Sequence, residues 1–518
     1  MARFSFIGPS YASQSLSADC QVTRNWYVET IENNGKVAQA LYPTPGKSLL
    51  VTLPGGPIRG QVEINGRAFA VSGPNFCEVF ANGTSNTIAQ VANDLLPVSM
   101  VCSPQQLLLA CGGNLYCYQL QTQQNVGIGT GIAGTFNQIP NANFSLPSGA
   151  NGNPIQVEYI DGFFLVLLAN SQVIYISQPL DATTWPPLQK LIVSVFSDNV
   201  QSIIQNNRRL AVQGRKRSTV YYDSGSANIF DVDPSGTIEN GLCAPFARGR
   251  LDNSIIWLDQ DEHGLGIARR NSGYTPVRIS NHAIEFAMQG YPTISDCVVY
   301  TYQDQGHSFA VFTFPTAQKT WVYDVATGQW HERAYWNTGT GTFSADKAQY
   351  HMLAFGMHLV GDPGSGNIYQ MAIPSANGGG WNFVTDNGNP IRRVRRAPHV
   401  GFEFKRVYFN ELNIDVESGL GPIPPLQDGA GNNRDPVMML RWSKDYSKTW
   451  SNEYELTCGQ AGDFRRRVRK SKIGSSKTGM VFEVSVTDPI PWRITEAYLD
   501  ATNFQAQERL AKQYARVS

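Results

Sequence analysis

The sequence predicts an all-β fold, a β-propeller-like main domain with an additional C-terminal β-domain, and three observations carry that prediction. Short strand-forming runs separated by Gly, Asn, Asp and Pro turns dominate from about residue 37 onward, and long helical periodicity is nearly absent. A unit of turn, apolar strand, second turn and aromatic-ended strand recurs, its first residues at 65, 105, 161, 207, 252, 305 and 349. Successive starts differ by 40, 56, 46, 45, 53 and 44 residues, close to the length of a four-stranded propeller blade. A sheet that short cannot bury both faces alone, so blades stacked radially cover one another. An array of β-sandwiches is the competing arrangement, because it would space its strands in the same way.

In chain order, residues 1–45 form an N-terminal arm with the first strands, and residues 46–380 the propeller-like domain. Within the latter, "DGFFLVLLANSQVIYIS" displays the repeating unit. Asp161-Gly162 suits a tight primed hairpin turn, which needs positive φ, and Asn170-Ser171 marks the next reversal. "TPGKSLL" holds Gly46-Lys47-Ser48, the tail of a phosphate-binding P-loop, but position 41 is Leu where the loop needs glycine and no helix follows. The expectation there is a plain turn. The pattern breaks near residue 372, where "PSANGGGWNFVTDNGNP" reads as a linker. Residues 381–500 follow as the C-terminal β-domain with longer strands. Alternation in "VYFNELNIDVE" sets Val407, Phe409, Glu411 and Asn413 on one face and Tyr408, Asn410, Leu412 and Ile414 on the other. Neither face is cleanly apolar, which points to a domain docked on the first with both faces partly covered. Residues 501–518 read as a tail or short helix.

Composition narrows the function classes. A chain of 518 residues, 42% hydrophobic and 11% aromatic, can bury a large core. Lys+Arg and Asp+Glu are 41 each, so no global charge draws the chain to nucleic acid or an anionic membrane, and any electrostatic role is local. No apolar run approaches the roughly 18 residues of a membrane span, and the N-terminus lacks a signal peptide's basic start and apolar region. The expectation is a chain made in the cytosol without stable membrane insertion. Eight cysteines form no C-x-x-C pair or zinc-spaced cluster and read as reduced, mostly buried thiols. The seven histidines are scattered singly. No metal, cofactor or catalytic residue is expected.

Two motifs invite chemistry. In "FDVDPSGTIENGL", Asp231, Asp233, Ser235, Gly236 and Glu239 fall at calcium-loop positions, but Leu242 stands where the bidentate Glu is required and Pro234 stiffens the loop, so a tight Asp/Gly turn is the better reading. "RWSKDYSKTW" nearly spells the Asp-box of sialidase propellers through Ser443, Asp445, Thr449 and Trp450, with Ser447 in place of its glycine. That box is a structural turn in which a carboxylate ties backbone N–H groups. A glycosidase further needs convergent arginines or a carboxylate pair, and Asp261-Glu262, adjacent on a strand, would point apart.

Two basic runs remain. "IRRVRR" supplies Arg392, Arg393, Arg395 and Arg396, and "FRRRVRKSK" supplies Arg465, Arg466, Arg467, Arg469, Lys470 and Lys472. Such clusters suit phosphate contact, a subunit contact or a solvated face.

"GHSFAVFTFPTAQKTWVYDVATGQWHER", with Gly306, His307, Phe314, Pro315, Thr320, Trp321, Tyr323, Asp324 and Trp330-His331-Glu332-Arg333, resembles a signature block of the packaged-DNA stabilization proteins of short-tailed bacteriophages, the hub or nozzle proteins of the tail. Further blocks resemble that family in order, among them "GPSYASQSLSADCQVTRNWYVE", "YISQPLDATTW", "GTIENGLCAPFA", "VRISNHAIEFAM" and "FEVSVTDP". The resemblance implies a non-enzymatic virion protein, assembled in the host bacterial cytoplasm as a homo-oligomeric, hexameric ring. That ring would dock below the portal–adaptor, extend the DNA channel, contact packaged dsDNA transiently, and carry tail fibres, spikes or a needle. On this basis Arg392, Arg393, Arg395, Arg396, Arg465, Arg466, Arg467, Arg469 and Lys470 are candidate DNA-channel or subunit-interface residues. The runner-up is a receptor- or glycan-binding tail propeller of sialidase-like ancestry.

Overall fold

The computed structural model describes residues 2–31, 35–120, 134–226, 228–374, 380–401, 405–422 and 425–503; the tail from 504 lies outside them. Among these residues seven four-stranded antiparallel blades follow one another. Six are meanders spanning 58–90, 99–139, 154–192, 200–232, 248–278 and 298–337. The seventh takes three strands from 350–372 and its fourth from Gly46–Thr52. First strands line the axis, and facing sheets bury separate apolar layers such as Leu108, Phe164 and Val166 between blades two and three. The repeat read from sequence is therefore the blade, and the propeller displaces the sandwich array.

Local backbone demands explain the turn residues. Hairpins joining first and second strands carry two consecutive residues in the left-handed region: Asn65-Gly66, Asp161-Gly162, Asn207-Arg208, Asp252-Asn253 and Gln305-Gly306. Asp161 and Gly162, at φ +49° and +93°, make the primed turn that matches the twist of the flanking strands.

Ring closure corrects the expectation of a turn at Gly46-Lys47-Ser48. These residues open a strand that runs antiparallel to Asn367–Ala372 and parallel to Asp386. Gly46 is required there, since a Cβ would lie 2.0 Å from the Phe383 carbonyl oxygen. Lys47 is buried, its Nζ donating to Asp346 Oδ1 at 2.5 Å and Asp386 Oδ1 at 3.0 Å. One ammonium thus locks the closing strand to two chain segments.

The second unit is a β-sandwich that the two ends of the chain build jointly. One sheet orders Trp26–Thr30, Gln39–Pro43, Ile494–Asn503, Val407–Val416 and Val468–Ser476. The other orders Cys20–Arg24, Arg393–Arg396, Val481–Val486, Val437–Ser443 and Tyr454–Thr457. Between them Trp26, Leu41, Leu412, Leu440, Phe482 and Ile494 form the core. Cys20–Arg24 also pairs in parallel with Gln329–Asn337, the outer strand of blade six, so propeller and sandwich share one continuous sheet.

The two mixed faces expected for 407–416 are corrected by a bulge. Pairing with both neighbours shifts register between Phe409 and Glu411. The extra residue, Asn410, swaps the phase, so Val407 and Phe409 share the buried face with Leu412, Ile414 and Val416.

His307 fastens the sandwich sheet to blade six. Its ring is buried, with Nδ1 2.8 Å from Asp324 Oδ2 and Nε2 2.8 Å from Glu29 Oε2. Burial alone would lower its pKa, but the two carboxylates outweigh it and raise it to about 9. His331 is driven the other way: burial first, then Arg333 and His307, hold it neutral. The signs set a pH profile. The raised group stabilises fully below about pH 6.5 and loses about 3 kcal/mol as pH rises through 9. The lowered group costs stability as pH falls below about 6.5, where the unfolded chain takes up its proton. Melting temperature should therefore peak near pH 6.5–7 and fall on both sides. In His307→Gln the alkaline limb should flatten and the acid limb persist, which thermal melts across pH would register.

Candidate functional site

The two basic runs occupy different environments. Arg393–Arg396 is an inner strand of the sandwich sheet, and Arg393 and Arg395 have no exposed surface. Arg395 donates to Phe6 O at 2.6 Å, Pro9 O at 3.0 Å, Thr23 Oγ1 at 2.8 Å and Gln21 Oε1 at 2.7 Å. It binds the N-terminal segment to the sandwich. Burial pulls the Arg393 guanidinium down to about 10, and the field of Asp386 works against that shift. Arg396 and Arg441 both pair with Glu483 and lie 4.9 and 4.7 Å from the Trp450 ring centre, on which they stack. Arg392 donates to Glu453 at 3.2 Å and stacks on Trp336. The expectation that this run faces DNA or a partner is thus corrected for Arg393 and Arg395, which are walled in, while Arg392 and Arg396 already have carboxylate partners.

The second run is open. Arg465, Arg466, Arg467 and Arg469 are exposed at one edge of the sandwich, the first three in the loop that enters Val468–Ser476 and Arg469 at the start of that strand. Among the described residues none of these four lies within ion-pair distance of a carboxylate; Arg466 instead donates to Thr457 Oγ1. They share a shallow, polar hollow with Glu455 and Asp463. Next to them Phe464 is 71% exposed. Lys470 turns away, its Nζ 3.9 Å from the centre of Tyr454, which stacks on Trp442.

The two suspected motifs resolve into turns. Asp445 accepts from Thr449 N at 2.8 Å, Thr449 Oγ1 at 2.6 Å and Ser443 Oγ at 2.7 Å, and these bonds, that from the Thr449 hydroxyl foremost, hold its carboxyl down to about 2. Ser447 sits at φ +66°, the conformation for which the box uses glycine. The box joins two strands of the sandwich, not of a blade. In the calcium-like stretch, Asp233 accepts from Ser235 N and Tyr274 Oη while Glu239 pairs with Arg217, so the carboxylates do not converge. Among the described residues no group of three or more His, Cys, Asp or Glu side chains could hold a metal ion. The eight cysteines are free; Cys102 and Cys243 are partly exposed and the rest buried.

The propeller axis holds a cavity of about 250 Å³ lined from every blade, with Gln61, Ser99, Glu158, Arg248, Tyr300 and His351 on its wall. Arg248 donates to Gln156 Oε1 at 3.1 Å and Ile203 O at 2.7 Å, and Arg250 stands 3.7 Å from Glu158. A larger cleft of about 310 Å³ lies between blades four and five. Sequence reasoning missed both, because a cavity between sheets is set by side-chain volumes on strands paired far apart. A signal available in the sequence was the set of amides at the turns, Asn206-Asn207 and Asn253, which line the cleft.

Comparison with known proteins gives two matches in chain order. The family model for the bacteriophage P22 Gp10 β-propeller matches residues 22–375, and that for the bacteriophage P22 Gp10 β-sandwich matches residues 392–502. No curated protein matches. Similar solved structures include the N-terminal domain of Nup159, at 10% identity and TM-score 0.36, covering 68% of this chain and 98% of that one. The WD40 domain of Toxoplasma gondii coronin matches at 10% identity and TM-score 0.38, over 71% of this chain and 92% of that one. The extracellular domain of a putative hybrid two component system from B. thetaiotaomicron matches at 8% identity and TM-score 0.41, over 81% of this chain and 47% of that one. With a propeller and a sandwich matched in order over most of its length, the chain belongs to the bacteriophage P22 Gp10 family, structural stabilization proteins of phage.

Proposed function

We propose that the protein is one subunit of a ring in the phage tail, a hub or nozzle below the portal–adaptor. There it extends the DNA channel, retains the packaged genome, lets it pass into the host, and carries fibres, spikes or a needle. Six copies per ring is what the family resemblance implies. The duplex path would run between subunits rather than through one propeller: a cavity of about 250 Å³ crossed by side chains of all seven blades cannot pass a duplex whose major groove alone is about 12 Å wide. A chain with 41 basic and 41 acidic residues suits such a tube, since uniformly basic walls would bind phosphate and slow passage.

The observation that carries the reading is the exposed run Arg465, Arg466, Arg467 and Arg469, which has no ion-pair partner among the described residues, beside the bare ring of Phe464. Arginines with an aromatic anchor are the composition of a protein–protein contact, whereas a phosphate backbone has no use for an exposed phenyl group. We therefore assign this edge to a contact with the neighbouring subunit, in a heterologous arrangement that closes into a ring. Changing Arg465, Arg466 and Arg467 together to Ala should weaken self-association about 100-fold, three truncations at about 0.9 kcal/mol each, seen as loss of rings by mass photometry. Rings that persist while genome retention or ejection fails would place the run on the lumen instead. Normal rings, retention and ejection would refute both placements.

A further inference from the structure

The propeller axis carries a charge that its surroundings leave unmatched. Arg248 opens the first strand of blade five, Arg248–Leu251, and lines the axial cavity of about 250 Å³. Its Nε donates to Ser202 Oγ, and its Nη2 donates to Gln156 Oε1 at 3.1 Å and Ile203 O at 2.7 Å. All three acceptors are neutral. Among the described residues Arg248 has no carboxylate within ion-pair distance, and its Nη1 makes no hydrogen bond although that atom is not closed off. Burial pulls the guanidinium down to about 10, with Glu158 acting against that shift, so it stays charged at neutral pH.

The rest of the wall does not supply the missing anion. Glu158 is the one carboxylate on it. Its oxygens accept from Tyr159 N at 3.2 Å and Gln205 N at 3.1 Å, and Arg250 stands 3.7 Å away. Arg250 thus offsets Glu158, and Arg248 is left as the net charge. Burial drives the His351 pKa down to about 3, so that ring adds no charge. A cation held by neutral dipoles alone in a partly dry site is costly, and water, which can meet an N–H group, leaves the charge unopposed. Hydrogen-bond donors, by contrast, are in surplus. Gln349, just before the first strand of blade seven, lines the same cavity, and its side-chain amide has no partner among the described residues and is not closed off. Access is provided beside Arg250, whose side chain is 51% exposed.

We infer that the propeller axis binds a small inorganic oxyanion, of the phosphate or sulfate class, on Arg248, with the Gln349 amide and Arg250 as the further donors of the wall. An oxyanion offers several acceptors to donors that arrive from different strands, and its bonds to a guanidinium are charge-assisted. Size agrees, since the cavity falls below the roughly 300–1,000 Å³ of sites for larger organic ligands. Bound there, the anion would couple blade five, which Arg248 already ties to blades three and four, to blade seven. The site lies within one propeller, so it stands or falls independently of the ring.

The test is isothermal titration calorimetry of the full-length protein with inorganic phosphate, at an ionic strength held constant with sodium chloride. Phosphate should bind saturably at one site per chain, and sulfate should compete. A short single-stranded DNA, whose phosphates are carried on a chain too bulky for the cavity, should not displace it. Arg248→Gln should weaken binding at least about ten-fold, and Gln349→Leu, which leaves the backbone bond from Gln349 N to Gly361 O in place, at least about three-fold. The triple change of Arg465, Arg466 and Arg467 to Ala should keep the parent affinity, which separates the axis from the exposed basic edge. Phosphate should also raise the melting temperature of the parent and of that triple variant, and not that of Arg248→Gln. Absence of saturable phosphate binding, binding unchanged in Gln349→Leu, displacement by the DNA, or binding lost in the edge variant would each overturn the assignment.

Discussion

Replacing Lys47 by Ala is expected to lower the stability of the protein by about 3–5 kcal/mol, the largest effect of any single substitution considered. Lys47 is 5% exposed and sits on the strand that closes the propeller. Burial alone would lower its pKa, yet Asp346 and Asp386 together raise it, so the ammonium is charged at every pH the fold survives. Asp386 has the opposite balance: burial pushes its pKa up, the attraction of Lys47 offsets that only in part, and the repulsion from Asp346 adds to the rise. Removing the ammonium leaves two carboxylates facing each other in a dry site, and one must take a proton or the closing strand must open. Lys47→Met, although similar in size, should be nearly as damaging. Combining Lys47→Met with Asp346→Asn and Asp386→Asn should restore most of the loss, because no buried charge is then left alone. Urea unfolding of the three proteins separates these outcomes; a Lys47→Ala protein as stable as the parent would show that the latch does not hold the ring.

Arg395→Ala should cost about 3 kcal/mol and release the N-terminal segment. The guanidinium binds two carbonyls and two side chains of residues 6–23, and Asp19 orients one of those side chains by accepting from Gln21 Nε2 at 3.0 Å. Its loss strands four acceptors beneath the sheet and opens a cavity. Limited proteolysis should then cut within residues 5–20 at protease levels that leave the parent intact. If the two proteins digest alike, packing of Phe6 and pairing of Cys20–Arg24 hold the segment without Arg395.

Much of the propeller was legible because its information is local. Each blade announces itself by a hairpin whose residues must tolerate positive φ, as at Asn65-Gly66, Asp161-Gly162 and Gln305-Gly306. The seventh repeat, counted from 349, is out of phase with the others: it indexes the start of a first strand, because its hairpin lies at Phe355-Gly356 and its fourth strand comes from residues 46–52. The sandwich was less legible because its pairing is not local. Val22 pairs with Arg396 and Leu41 with Ile494, partners hundreds of residues apart, so nothing near residue 22 signals its sheet. Charge misled at Arg393 and Arg395: a basic run is usually solvated, but here both faces of the strand are covered, the carbonyls of Phe6 and Pro9 receive the Arg395 guanidinium, and Arg393 donates to Ile391 O of its own segment. At Arg465, Arg466 and Arg467 the same inference held for exposure, since that run lies in a loop at an edge. Asn410 hid the apolar face of its strand by a bulge, which period-two reading has no means to register.

Family membership makes this a phage structural protein, and the proposed ring is the step that would turn the fold into a function. The most direct test is cryo-electron microscopy of the purified protein, alone and mixed with the portal–adaptor complex of its phage. Six-fold rings seated on the adaptor, with the Phe464 and Arg465–Arg467 edge between neighbours, are the predicted result. Particles that stay monomeric in both samples, at concentrations where the adaptor itself is assembled, would contradict it.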